Sequence, residues 1–167
     1  MMAGFKEQFE WQKRFIPEVV NLIAPHLIQV SSHEVDCNEA GDLVIRFPRN
    51  GTVAVRLRKP SASRYVGEMT LRSKTRYNNT SEVTKIVDGF ADFYFYGHVD
   101  DAENIWHWYL LDCQKMRAEF IRRPHILHNA MTRQIFNPDG TGFIAFDVER
   151  DLSRCVIHRH VSIAEAA

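Results

Sequence analysis

Apolar residues recur near helical spacing in FKEQFEWQKRFIPEVVNLI (residues 5–23), where Phe5, Phe9, Trp11, Phe15, Val19 and Leu22 are interleaved with Lys and Glu. This spacing predicts one amphipathic helix or two, because residues three and four apart share a face. Pro17 either kinks the helix or opens a second segment at its first turn, and Pro25 ends it. Beyond this point the period shortens. LIQV (27–30) reads as a short strand and SSHEVDCNEAGD as a polar loop. DLVIRF (42–47) and TVAVRLRK (52–59) read as a hairpin around PRNG, and GEMTLRSK (67–74) as a further strand. In TSEVTKIVDG, Thr80 or Ser81 offers a cap, Val83, Ile86 and Val87 an apolar side, and Gly89 a stop. ADFYFYGH (91–98) is a strand on its aromatic content. Residues 100–123 read as a second long helix, with Ile105, Trp108, Tyr109, Leu111, Met116 and Phe120 on its apolar side and Pro124 closing it. GFIAFDV and CVIHRHVSI are late strands, with a turn at PDG.

This order predicts an α+β fold, an α/β sandwich with a mixed central sheet flanked by helices. The chain shows no internal repeat or low-complexity stretch, so residues 1–167 read as one domain, with a core over about 5–120 and a β-rich extension over 124–167. A chain of 167 residues buries roughly 70% of the surface its unfolded form exposes, so it needs no staples. Its 21 basic and 21 acidic residues cancel, which excludes bulk attraction to nucleic acid or acidic membranes and leaves such binding to a local patch. The same balance disfavours an acidic imitation of DNA. Cys37, Cys113 and Cys155 are odd in number and lack metal-finger spacing, so they read as free thiols in a reducing compartment. The first residues carry charges where a signal peptide has its apolar stretch, and no run approaches about 18 apolar residues. A cytoplasmic protein with no membrane span is expected.

Strand parity brings in candidate chemistry. In VAVRLRK, Val53, Val55 and Leu57 share one face and Arg56 and Arg58 the other. In GEMTLRSK, Met69 and Leu71 oppose Glu68, Thr70 and Arg72; in ADFYFYG, Phe93 and Phe95 oppose Asp92, Tyr94 and Tyr96. Three neighbouring strands are thus expected, each with one apolar and one functionalised face. One reading is a half-solvated sheet whose cross-strand Arg and Glu pairs contribute roughly a few tenths of a kcal/mol each. The other brings Asp42, Glu68 and the arginines together around a divalent metal or a phosphate, since hard carboxylates hold Mg²⁺ or Mn²⁺ and a neighbouring cation orients a scissile phosphate.

The segments GDLVIRF, VAVRLRK, GEMTLRS and TSEVTKIVDGFADFYFYG, with the Trp-bearing segment after them, resemble the core of the PD-(D/E)xK nuclease superfamily and a group of phage and prophage proteins associated with it. The resemblance spans about residues 5 to 120. It implies Asp42 as the first metal-binding acid and Glu68 as the second, in a metal-dependent phosphodiesterase whose lysine steadies the attacking water. That lysine position falls on Thr70. Arg72 lies on the same face as a candidate catalytic group, although its high pKa makes it a poor proton shuttle.

Glu82 and Lys85 stand one helical turn apart, either as a surface pair or with Glu82 turned to the sheet as a further ligand. Eight histidines invite a zinc site, but no HExxH or Cys/His array is present, so scattered histidines are favoured. Trp106 and Trp108 around His107 read as core and helix edge rather than as a base-stacking platform. GxSxG, P-loop and GxGxxG motifs are missing, and Cys113 within an apolar helix reads as an inert thiol.

Two functions follow. The first is a phage or mobile-element protein that recognises or cleaves nucleic acid at a Mg²⁺ or Mn²⁺ site formed by Asp42 and Glu68, with Arg56, Arg58 and Arg72 on phosphate and a centre that has lost its lysine. The second is a non-catalytic protein that inhibits a host defence complex through the polar sheet face or the aromatic segment around Trp106. A homodimeric scaffold without a ligand is a third possibility.

Overall fold

A computed structural model describes residues 3–30, 43–45, 51–75, 80–127 and 133–161. The chain divides into two compact units, residues 1–51 and 52–167. In the first, α1 (Ala3–Lys13) is followed by α2 (Ile16–Leu27), and β1 (Ile28–Val30) pairs antiparallel with β2 (Leu43–Ile45). Pro17 sits in the first turn of α2, where its missing N–H is not needed. Pro25 does not end that helix as expected. It lies inside the last turn, where one lost hydrogen bond is tolerated. Phe15, Val19, Ile23 and Leu27 recur every fourth residue and are all buried.

Among the described residues, the second unit contains two sheets. In the first, β3 (Val53–Arg58) runs parallel to β5 (Phe93–Val99), which pairs antiparallel with β6 (Ile105–Asp112), and β6 pairs in turn with β9 (Val156–Val161). In the second, β4 (Glu68–Lys74) and β7 (Arg133–Phe136) flank β8 (Gly142–Asp147), all antiparallel. Three helices, α3 (Glu82–Asp88), α4 (Cys113–Arg122) and the short α5 (Val148–Asp151), complete an α+β fold with mixed strand directions. A core cluster draws Met69 and Leu71 from β4, Tyr94 and Tyr96 from β5, Tyr109 and Leu111 from β6, Ile144 and Phe146 from β8, and Met116 and Phe120 from α4.

Three further expectations need correction. Among the described residues the strands of the expected 42–59 hairpin have other partners: β2 pairs with β1 and β3 with β5. An Asn-Gly pair permits a tight turn, but which strands pair is decided by burial. Nor do β3, β4 and β5 share a sheet, since β4 belongs to the second one. Finally, residues 105–112 are a strand and not the first half of a helix. Ile105, His107, Trp108, Tyr109, Leu110 and Leu111 are all buried, so both faces are apolar and neither the helical nor the strand period can be distinguished. The helix begins at Cys113, after Asp112, whose carboxylate accepts the Lys115 amide at 3.0 Å as an N-cap.

Candidate functional site

The polar row of β4 is neither a wet face nor an open floor. Thr70 is 6% exposed, its amide donates to the Tyr96 hydroxyl at 3.3 Å, and its own hydroxyl lies 3.3 Å from the same oxygen. Arg58 Nη1 donates to Thr70 Oγ1, also at 3.3 Å. The position where lysine would steady a nucleophilic water therefore holds a hydroxyl enclosed between β3 and β5.

Glu82 connects the two sheets. Ser81 caps α3 by accepting the Thr84 amide at 3.1 Å, which sets Glu82 in the first turn. Both Glu82 carboxylate oxygens accept from Arg56 Nη1, at 2.6 and 2.7 Å, and Oε2 also accepts the Arg72 amide at 2.7 Å. Glu82 is thus turned inward to Arg56, not paired on the surface with Lys85, which is exposed. Burial alone would lower the Arg56 pKa, but Glu82, Tyr94 and Tyr96 outweigh it and the net shift is upward. Burial, then Glu82, raises the Tyr94 phenol above its ordinary range.

Arg72 stands directly opposite Phe143 in the β4–β8 register, and its guanidinium lies 5.5 Å from that ring centre. Arg56 approaches the same ring at 5.6 Å, so two guanidinium groups lie against one aromatic ring. Arg72 Nε is buried with no hydrogen-bond partner among the described residues. Neither Arg58 nor Arg72 has a carboxylate partner among those residues, whereas Arg56 does.

The proposed metal ligands fit less well. Asp42 lies outside the described residues. Glu68 is partly exposed and registers opposite Asp147, whose carboxylate accepts the Arg150 amide at 3.0 Å as the cap of α5. No group of three or more His, Cys, Asp or Glu side chains suited to a metal is found among the described residues. With Thr70 enclosed and Glu82 engaged, the described side chains do not assemble the oxygen-rich set that Mg²⁺ or Mn²⁺ takes.

Other candidates sort by burial. Burial is the main cause that pushes the Cys113 thiol up to about 12 and the Cys155 thiol up to about 11, so both are protonated, unreactive thiols. Cys37 and His128 lie outside the described residues. His125 is exposed, while His158 and His160 lie 4.9 and 5.9 Å from the Trp108 ring on the first sheet. His98 and His107 are buried together. The contribution of Phe143 was invisible in the sequence, because only the β4–β8 register brings it under Arg72. No helix among the described residues is long and apolar enough to cross a membrane. Comparisons of the chain with protein families, with curated proteins and with solved structures found no match.

Proposed function

We propose that the protein recognises nucleic acid without cleaving it, as a phage- or prophage-type protein with a nuclease-like core and a degenerate centre. The observation that carries this reading is the enclosure of Thr70 by Arg58 and Tyr96, beside two arginines, Arg58 and Arg72, that have no carboxylate partner among the described residues. Cations of this kind contact phosphates, and planar guanidiniums do so with two parallel bonds. With no net charge on the chain, affinity depends on this local patch. Labelled single- and double-stranded DNA and RNA, titrated at low salt, test the reading by fluorescence anisotropy. Binding is expected to weaken with salt by a slope of about 0.9 per phosphate contacted. It is also expected to fall in an Arg58→Ala/Arg72→Ala variant, with intact strands recovered in Mg²⁺ or Mn²⁺. Absence of binding at low salt rejects the proposal, and cleavage abolished by Asp42→Ala returns the protein to the enzymes.

The alternative, a non-catalytic inhibitor of a host defence complex, is favoured by a different observation. Val87 and Phe90 at the end of α3 and Ile121 on α4 are exposed apolar residues, and Arg117 of α4 donates to the Ile86 carbonyl at 3.1 Å, joining these two helices. Pull-down from host lysate at physiological salt, with Phe90→Asp as the control, tests it; equal recovery with both proteins counts against it.

A further inference from the structure

His98 on β5 stands directly opposite His107 on β6, and the two form the last regular pair before a bulge between His98 and Val99. Paired positions of an antiparallel ladder project to the same side, and the two ring centres are 5.8 Å apart. Each residue is 1% exposed, and no described protein group hydrogen-bonds any of the four ring nitrogens. Tyr96 packs 5.7 Å from His98, Tyr109 packs 4.8 Å from His107, and Trp106 lies against both rings. A neutral imidazole is tolerated in such a setting, whereas an imidazolium brings a full charge and two N–H donors that find no acceptor. The neighbouring charges add to that cost. Arg58 of β3 registers opposite His98, and Arg159 and His160 of β9 bring like charge to His107. No carboxylate hydrogen-bonds either ring: Glu149 of α5 is paired with Arg159, Asp100 accepts the Asn104 amide at 2.8 Å, and Glu68 of β4 reaches neither imidazole.

We propose that His98 and His107 form an acid-released latch, which closes this end of the β5–β6 ladder while both rings are uncharged and opens it when they take up protons. Burial first, then the charges of His107 and Arg58 on His98 and of Arg159 and His160 on His107, lowers both imidazoles from 6.5 to about 4. A base depressed in the folded state contributes stability that is fully present above its unfolded value of 6.5. That stability is lost as pH falls toward about 4, because the unfolded chain binds protons that the fold refuses. The three aromatic rings favour a cation, but a ring face returns less than a full charge loses on leaving water. Facing each other, the two rings also oppose one another's second charge. Opening extends beyond the pair. Tyr96, two residues before His98, accepts the Thr70 amide of the second sheet at 3.3 Å, so loosening β5 releases the junction of Arg58, Thr70 and Tyr96.

Urea unfolding of the full chain at pH 7 and pH 5, at constant ionic strength and followed by the NMR amide signals of β5 and β6, tests the latch. Between these pH values the unfolding constant is expected to rise at least about tenfold more in the unaltered chain than in His98→Leu/His107→Leu, which has nothing to protonate there. A smaller difference, or an equal response of the two proteins, overturns the proposal. If the double variant does not fold, the ring-carbon proton signals of His98 and His107 in the unaltered chain decide. Both are expected to stay at the neutral position at pH 5.5, and either ring half-charged in the folded protein at that pH or above overturns the proposal. None of these outcomes depends on nucleic-acid binding.

Discussion

Glu82 shows how much one side chain can decide. It holds Arg56 of one sheet and the Arg72 amide of the other, with its side chain 29% exposed and that of Arg56 18%. Removing its charge in Glu82→Gln leaves the Arg56 guanidinium short of its partner, and a loss of about 1–3 kcal/mol is expected in urea unfolding. Lys85→Ala, one turn away on the exposed side, is expected to stay within about 0.5 kcal/mol. Glu119 makes a second prediction at this scale. The Arg122 hydrogen bond, against a smaller opposing effect of burial and with help from Arg123, holds its carboxyl below the ordinary value. A group depressed in the folded state contributes stability above its unfolded pKa and loses it as pH falls through the folded one. Stability measured from pH 6 downward should therefore decline less steeply in Glu119→Gln than in the unaltered chain. The parity of Arg56, Arg58, Thr70 and Arg72 was readable in the sequence, because alternation follows from backbone geometry alone. The partners of these residues were not, since Phe143 and Tyr96 reach them from strands far away in the chain.

Elements were legible where a local signal marked their ends. Ser81 and Gly89 bracket α3 by side-chain capping and by a left-handed residue at φ 82°, whose amide reaches the Ile86 and Lys85 carbonyls. Ser81→Ala is expected to cost about 0.5–2 kcal/mol. Gly89→Ala is expected to cost about 1 kcal/mol or more, since an L residue is strained there and its Cβ would lie 2.7 Å from Arg117 Nη2. Thermal unfolding of both variants, beside Thr80→Ala as the alternative cap, checks the assignment: a larger effect at Thr80 would contradict it. The strand β6 was illegible for the opposite reason. A segment buried on both faces carries no period, and its identity as a strand comes from hydrogen bonds to β5 on one side and β9 on the other.

At the scale of the 52–167 unit, the core cluster joins both sheets and the helices. Phe146 is fully buried and stacks on Phe120 of α4 at 5.6 Å. Phe146→Ala should cost about 3–5 kcal/mol with an unchanged urea m-value, because a cavity forms where several elements meet. A loss below 1 kcal/mol would mean that this part of the core collapses freely around the gap. The α+β class, the helices around residues 5–23 and 80–89, the late strands and the polar row of β4 are properties of the sequence by itself, since spacing, caps and alternation are local. Only the tertiary structure decided that β3 pairs with β5 and not with β2, that β4 belongs to a second sheet, and that Thr70 is enclosed. These are long-range pairings, chosen by which surfaces bury one another most completely, and no local pattern records them.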